Sequence, residues 1–288
     1  MHTRKKKKGA CEMRKYIWIL IAGIIMVGLL SGCSEKGMEW VSLDGSTSME
    51  KVIGYLREAY MEANDKVKIT YNPTGSGAGI AAVLEGRSDI GLSTRALTAE
   101  EAENLAATAV AIDGIAMIVN HANPVENLSV EQIKKIYTGE IANWQAVGGN
   151  DAPLVCIGRE AASGTRDGFE TVTDTKDSCL YTQELTSAGD VIQTVSANPN
   201  AIGYASLASV KDTVKTLKVD GILPTTKTIQ NGEYEVCRDF LLVTKKEGIR
   251  KDAAKKFYNF CSSEAAGILV EKAGAVPVKR QGECNATR

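Results

Sequence analysis

Three short stretches of this chain are rich in glycine and hydroxyl side chains, and each stands where a helix is expected to begin. They are residues 45–48 (GSTS), 75–79 (GSGAG) and 163–166 (SGTR). The first turn of a helix exposes unpaired N–H groups and the positive end of the helix dipole. Arg159 adds a forked pair of donors that suits two oxygens of a tetrahedral anion. Together these residues predict a pocket that binds a small dehydrated oxyanion.

Each stretch also has a plainer explanation when it is taken alone. Ser46, Thr47 and Ser48 precede a helical pattern and are typical N-cap residues, although a cap needs only one of the three hydroxyls. The alternating glycines of residues 75–79 are typical of a flexible turn, and they lack the lysine of a P-loop. Arg159 alone is equally consistent with a surface ion pair. The prediction of an anion site therefore depends on the three stretches acting together.

The elements that must position these residues alternate between strands and helices. Ser129 is expected to cap one of the helices, with Gln132 in the capping-box position. The patterns predict strands at residues 40–43, 67–71, 88–92, 112–119, 154–158, 202–204 and 238–244, and helices at residues 49–63, 78–85, 100–106, 129–137, 166–173, 190–197, 252–261 and 263–273. This alternation predicts an open α/β sheet with short connections.

The pattern restarts after residue 119, which predicts two α/β lobes. Each glycine- and hydroxyl-rich stretch follows a predicted strand, and residues 75–79 and 163–165 come from different halves of the chain. Open α/β sheets bind ligands beyond the carboxyl ends of their strands. We therefore expect the anion to bind in a cleft between the two lobes.

The N-terminus has the pattern of a lipoprotein signal peptide. A basic run precedes the apolar residues 16–30, which are too few for a comfortable membrane span, and the sequence LSGC ends at Cys33. We expect cleavage before Cys33, which is then lipidated, and a polar tether over residues 33–38. A plain N-terminal membrane anchor is the alternative. A second start at Met13 would give a more conventional signal peptide.

Composition excludes several classes of function. Residues 1–32 hold seven basic residues and one acidic residue, so residues 33–288 hold 27 basic and 34 acidic residues, a formal net charge of −7. This charge argues against a nucleic-acid partner, and it leaves local donors to attract an anion. The five cysteines after Cys33 include no CxxC pair, which argues against a zinc site, and His121 is the only histidine after residue 32. We expect no metal or other cofactor.

Five longer stretches resemble the phosphate-binding lipoproteins of bacterial ABC phosphate importers. They are LDGSTSMEKVI (43–53), TGSGAGIAAVLEGRSDIGLSTRAL (74–97), DGIAMIVN (113–120), IYTGEIANWQAVGGNDAPLVCIGREAASGTRDGFE (136–170) and NPNAIGYAS (198–206). The resemblance implies the two-lobed fold of type II periplasmic binding proteins. Lobe 1 would comprise residues 39–118 and 236–288, lobe 2 residues 119–235, and two crossover segments near residues 119–121 and 235–238 would join them.

The resemblance also implies which residues bind the ligand. The family's positions fall on Thr47, Ser48, Ser76, Arg159, Ser163, Gly164 and Thr165, and we add the neighbouring Ser46, Gly77 and Thr94. Two departures stand out, because Thr94 and Ala161 occupy positions where well-known relatives carry aspartate. Such carboxylates accept the phosphate proton, which sulfate lacks, and pair with the arginine. The acceptor here must come from elsewhere, with Glu160, Asp113, Asp167 or a main-chain carbonyl as candidates.

The function that the resemblance implies is binding and delivery, without chemistry on the ligand. A monomer anchored by lipid on the outer face of the cell membrane would capture phosphate and deliver it to a permease driven by an ATPase. Sulfate or molybdate remains an alternative cargo. A phosphate-sensing surface protein is a second alternative, because fold does not fix function. A phosphatase is a third alternative. The sequence argues against it, because it has neither a GxSxG elbow nor a metal-ligand cluster.

Overall fold

The computed structural model of the protein describes residues 37–278. The predicted signal peptide, the lipidation site Cys33, most of the predicted tether and the last ten residues lie outside the described residues. Within the described range, no helix combines the length and the apolar character needed to cross a membrane.

Most strands of the structure belong to one mixed sheet. Its order is β2-β1-β3-β11-β4-β8-β6-β7, with β9 and β12 also paired to β4, while β5 and β10 form a separate parallel pair. The strands are β1 (Glu39–Gly45), β2 (Val67–Asn72), β3 (Ile90–Ser93), β4 (Leu105–Val119), β5 (Asn127–Leu128), β6 (Val155–Arg159), β7 (Gln183–Leu185), β8 (Ala201–Ser206), β9 (Lys215–Thr216), β10 (Lys218–Val219), β11 (Cys237–Lys245) and β12 (Val276–Pro277).

Helices connect most of these strands. They are α1 (Glu50–Ala63), α2 (Ser76–Leu84), α3 (Glu101–Asn104), α4 (Val130–Tyr137), α5 (Gly164–Val172), α6 (Ala188–Ala197), α7 (Thr226–Gln230), α8 (Asp252–Cys261) and α9 (Glu264–Ala273), with 3₁₀ turns at Thr47–Met49, Trp144–Val147 and Leu207–Ser209. The predicted capping box of α4 is confirmed, because the Ser129 hydroxyl accepts from the Gln132 amide and the Gln132 side chain accepts from the Ser129 amide.

Strand β4 changes its partner within its own length. Its first part pairs antiparallel with β11, ending at Gly114 opposite Cys237, and from Ile115 onward it pairs antiparallel with β8. The apolar packing divides at the same place. Val110 belongs to a core built on β1, α1, α8 and α9, whereas Met117 belongs to a core that includes α4, α5 and β8. One long strand therefore contributes to both of these cores.

The largest local difference from the sequence prediction lies just before this strand. Residues 100–106 were expected to form a helix, but α3 ends at Asn104 and β4 begins at Leu105. Leu105 is paired with Lys245 at the far end of β11, so pairing along the whole of β11 extends the strand at the expense of the helix. Local helix propensity is a weak signal that tertiary pairing overrides.

Candidate functional site

The first group of hydroxyls lies at the carboxyl ends of two parallel strands. Ser46 follows β1, Thr94 follows β3, and Ser76 opens α2. The Thr94 Oγ1 atom lies 3.3 Å from both the Ser46 and the Ser76 Oγ atoms, and the Thr94 amide donates to the Ser76 Oγ atom at 3.1 Å. All three residues are buried. The chain thus concentrates polar groups at one edge of the sheet, where carboxyl ends of strands form ligand sites.

The second group of hydroxyls lies at the start of α5, after β6. The Ser163 hydroxyl accepts from the Thr165 and Arg166 amides, so it caps the helix as an N-cap residue. The Ser163 O–H proton remains a donor because both of these bonds use its oxygen as acceptor. The Thr165 side chain instead contacts the first stretch, and its Oγ1 atom lies 2.8 Å from the Ser48 Oγ atom.

Gly164 allows the two groups of hydroxyls to meet. A Cβ atom added at Gly164 would lie 2.5 Å from the Thr94 Oγ1 atom and 2.6 Å from the Ser76 Oγ atom. A second bridge is made by the main chain, since the Gly77 amide donates to the Ala162 carbonyl at 3.1 Å. The structure therefore brings residues of all three stretches into direct contact.

Ser46, Thr47 and Ser48 do not cap α1 with their side chains. Ser46 precedes the 3₁₀ turn but makes no side-chain cap, and Met49 is the N-cap residue of α1. The Thr47 Oγ1 atom instead accepts from the Ala188 amide at 3.3 Å, while Ser48 contacts Thr165. The capping interpretation of this stretch is wrong, because its hydroxyls face other parts of the chain.

Arg159 ends β6 and is only 2% exposed. Its Nε and Nη2 atoms donate to the Glu160 carboxylate at 3.1 and 2.8 Å, and to the main-chain carbonyls of Leu185 and Thr186 at 3.1 and 3.0 Å. The carboxylate partner that Ala161 does not provide thus comes from the adjacent Glu160. These bonds fix the plane of the guanidinium, but they engage Glu160 and carbonyls rather than the hydroxyl cluster.

Arg238 lies beside the hydroxyls, although it is not among the site residues predicted from the sequence. Arg238 on β11 and Asp113 on β4 are direct register partners, and the Arg238 Nη2 atom lies 3.3 Å from the Asp113 Oδ2 atom. The same Nη2 atom donates to the Thr165 Oγ1 atom at 3.1 Å. Asp113 is the only charge of its strand, whereas Arg238 stands beside Asp239 in a strand that also ends in Lys245, so the sequence did not set Arg238 apart.

Burial shifts the pKa values of both members of the pair. It raises the pKa of the Asp113 carboxyl to about 6, although the charge of Arg238 opposes this shift. Burial also lowers the pKa of the Arg238 guanidinium to about 10, against the opposing effect of Asp113. Both directions mean that the lost hydration of each charge exceeds the attraction between them, as is common for buried ion pairs.

The other two candidate acceptors are more accessible or already engaged. Glu160 pairs with Arg159, and the Asp167 side chain is 36% exposed and lies 3.6 Å from the Lys176 ammonium. Asp113 is fully buried, its Oδ1 atom accepts from the Ala208 amide, and its Oδ2 atom has no hydrogen-bond partner. A cavity of about 220 Å³ opens beside Arg238 and is also lined by Thr94, Asp167 and Gly168.

Comparison with known proteins identifies a family. A model described as a PBP superfamily domain matches residues 33–265. Phosphate-binding protein PstS of Borreliella burgdorferi is 30% identical over 275 residues, covering 91% of this chain and 98% of the relative. PstS of Bacillus subtilis is 33% identical over 253 residues, covering 85% and 82%.

A solved structure gives the same result. A crystal structure with bound phosphate, of a Clostridium perfringens protein assigned as a phosphate ABC transporter substrate-binding protein, superposes with a TM-score of 0.80. It is 40% identical and covers 84% of this chain and 100% of that chain. The α/β architecture of this protein is therefore the two-lobed fold of the periplasmic binding proteins. The chain belongs to the PBP superfamily and, within it, to the family of the PstS phosphate-binding proteins.

Proposed function

We propose that this protein captures inorganic phosphate and delivers it to the permease and ATPase of an ABC importer. The observation that carries the proposal is the meeting of buried hydroxyls from the three stretches and from Thr94, which follow β1, β2, β3 and β6. Hydroxyls and helix N-termini are neutral donors, and they can replace the hydration shell of a small oxyanion without adding net charge. The family to which the chain belongs supports the same ligand.

The ligand residues we propose are those that the sequence analysis selected. They are Ser46, Thr47, Ser48, Ser76, Gly77, Thr94, Arg159, Ser163, Gly164 and Thr165. The hydroxyls would donate to phosphate oxygens, the main chain at Gly77 and Gly164 would allow close approach, and Arg159 would supply the charge. No step of this function requires a covalent change in the ligand, so we propose a binding protein and not an enzyme.

Delivery to a permease requires a protein that opens and closes, and we propose two lobes joined by a hinge. The predicted boundaries at residues 118/119 and 235/236 are supported in outline by the two separate apolar cores. The change of partner along β4 favours a crossover a few residues earlier, at Gly114–Ile115. The Ile115 amide donates to the Val236 carbonyl at 2.7 Å, which would hold the two crossover strands together.

The proposed location is the outer face of the cell membrane, with Cys33 as the lipid-bearing residue and the protein as a monomer. This proposal rests on the LSGC sequence and on the basic and apolar residues before it. A diacylated cysteine with a further chain anchors a protein firmly, whereas a single chain does not. Mass spectrometry of the chain from membranes would detect the lipid on Cys33, and an unmodified chain beginning at Met1 would exclude it.

Another oxyanion is the second candidate, because Thr94 and Ala161 do not provide the carboxylates found in well-known relatives. Isothermal titration of the full chain in detergent, with phosphate at pH 6 and pH 8 and with excess sulfate or molybdate, separates the candidates. We expect tight binding of phosphate that excess sulfate does not weaken. Preference for sulfate or molybdate would change the cargo and keep the uptake role. Absence of binding to all three anions would overturn the proposed anion site.

A further inference from the structure

The Asp113–Arg238 pair is joined by hydrogen bonds to two of the proposed ligand residues. Arg238 donates to Thr165, and Thr165 contacts Ser48. On the other side, the Asp113 Oδ1 atom accepts from the Ala208 amide, and the nearby Ser206 hydroxyl donates to the Ser48 carbonyl at 3.5 Å. The pair is therefore continuous with the hydroxyl cluster, although neither charge belongs to the three stretches that predicted it.

Several polar atoms of the Asp113–Arg238 pair have no hydrogen-bond partner. Among the residues that the structure describes, five buried side-chain polar atoms lack a hydrogen-bond partner, and three belong to this pair: Arg238 Nε, Arg238 Nη1 and Asp113 Oδ2. The Arg238 side chain is only 6% exposed, so water at the surface does not satisfy these donors. A buried donor without a partner is costly, and such groups are rare away from functional sites.

The geometry of the pair is not that of an ion pair built for stability. An arginine and a carboxylate usually form two parallel bonds, but here a single nitrogen approaches a single oxygen at 3.3 Å. The Arg238 Nη2 atom donates its hydrogen bond to the Thr165 Oγ1 atom instead. Room for this orientation is provided by Gly168 on α5, since a Cβ atom there would lie 3.2 Å from the Arg238 Cδ atom.

We infer that Arg238 is a second ligand-binding arginine of the anion site, and that Asp113 positions it and balances its charge. The inference rests on the proposed function and names a residue outside the predicted set. Arg238 would donate to an oxygen of the tetrahedral anion beside Thr165. The anion would then meet Arg159 on the β6 side and Arg238 on the β11 side, with the hydroxyls between them.

The test is phosphate affinity of the full chain in detergent, measured by isothermal titration for wild type and Arg238→Gln. Loss of a charge-assisted hydrogen bond should weaken phosphate binding by roughly 10- to 100-fold. Arg238→Lys keeps the positive charge but loses the forked pair of guanidinium donors, and it should weaken phosphate binding by roughly 3- to 10-fold. Arg95→Gln is the matched control, because Arg95 borders the same cavity but is already paired with Glu101 at 2.7 and 2.8 Å. Its phosphate affinity should change by less than about twofold.

A purely structural role of the pair makes a different prediction. Arg238→Gln leaves the Asp113 charge buried and unpaired, so weak binding by this variant alone could reflect loss of fold. The double variant Asp113→Asn/Arg238→Gln removes both charges with side chains of similar size. We expect it to unfold at a temperature close to that of wild type and still bind phosphate roughly 10- to 100-fold more weakly. A double variant with wild-type affinity would overturn the inference.

A measurement on the wild-type chain gives an independent answer. With ¹⁵N-arginine labelling, the Arg238 Nε–H signal, assigned by its absence in Arg238→Lys, should move when phosphate is added. An unmoved signal in a chain that binds phosphate would contradict the inference and leave the proposed function intact. A wild-type chain that binds no phosphate would instead contradict the proposed function itself.

Discussion

At the scale of single residues, nine of the ten proposed ligand residues are glycines or carry a hydroxyl, and Arg159 is the tenth. Thr94 contacts Ser46 and Ser76, and Gly164 brings the start of α5 against Thr94 and Ser76. The role of the missing carboxylate near Arg159 passes to Glu160, one residue away. Sequence identified Glu160 only as a candidate acceptor, because its bonds to Arg159 depend on rotamers that spacing does not determine.

Replacing Gly164 by alanine should damage the site specifically. The added Cβ would lie 2.5 Å from the Thr94 Oγ1 atom, so α5 must move away or the hydroxyls must separate. We expect at least a tenfold loss of phosphate affinity and a loss of about 1–3 kcal/mol in the free energy of unfolding, as for other overpacked sites. Titration calorimetry and urea unfolding measure the two effects.

Gly189→Ala in α6 is the matched control for this variant. The nearest atom to its Cβ would be the Ser187 Oγ atom at 3.7 Å, an ordinary contact. This change should leave phosphate affinity unaltered and should not lower stability, because alanine is the better helix former. Equal effects of the two substitutions on phosphate affinity would show that crowding at Gly164 does not cause the loss.

At the scale of elements, β4 and β11 determine where the Asp113–Arg238 pair lies. They place Asp113 and Arg238 opposite each other at the point where β4 changes partner from β11 to β8. Neither charge gains from this position in stability alone, since burial opposes the charged form of both. Two buried charges on these paired strands are better explained by a role in the site than by a role in folding.

The raised pKa of Asp113 predicts a pH-dependent difference in stability between wild type and Asp113→Asn. The folded protein holds the Asp113 proton more tightly than the unfolded chain, whose carboxyl has its usual pKa of about 3.9. Wild type should therefore lose stability relative to the variant as pH rises from about 4 through the folded pKa of about 6. Over this range the free energy of unfolding of wild type, relative to that of the variant, should fall by about 3 kcal/mol and then stay level at higher pH.

Urea unfolding of both chains at half-unit intervals between pH 4 and pH 8 measures this difference. Other carboxylates are shared by the two chains, so their effects cancel when one curve is subtracted from the other. Arg238 keeps its charge throughout this range, because its pKa is about 10. A difference that does not vary with pH, or that grows in favour of wild type as pH rises, would contradict a raised pKa for Asp113.

The elements that could be predicted from sequence are those whose signals are local. The capping box of α4 and the bounds of α8 agree with the structure, because both follow from neighbouring residues. The extent of β4 could not be predicted, because it depends on pairing with β11, more than a hundred residues away. Arg238 was missed for the same reason: its importance lies in contacts with Asp113 and Thr165, which no spacing along the chain reveals.

At the scale of the whole molecule, the site joins parts of the chain that belong to different cores. The first two stretches adjoin β1 and β3 of one core, and α5 packs in the other. Contacts such as Gly77 to Ala162 and Ser48 to Thr165 therefore bridge the two proposed lobes. Binding at such a site would be coupled to closing of the two proposed lobes by a hinge motion.

Amide hydrogen exchange of the full chain should report this closure. The Gly77 amide donates to the Ala162 carbonyl across the proposed cleft, so saturating phosphate should slow its exchange at least roughly tenfold. The Gly75 amide is the control, since it donates to the Gly45 carbonyl within one proposed lobe. Its exchange should change far less. Equal slowing of both amides, or of neither, would argue against a hinge at Gly114–Ile115.

The hydroxyl pairs at the centre of the site have a consequence for the forms of phosphate that the protein accepts. In Ser46–Thr94, Ser76–Thr94 and Ser48–Thr165 either oxygen can be the donor. Rotation about a single C–O bond lets each hydroxyl offer a proton to a bare anion oxygen or a lone pair to a P–OH group. The same cluster can therefore hold singly and doubly protonated phosphate without any titration of its own side chains. Uptake would continue across the neutral pH range in which the nutrient itself changes charge.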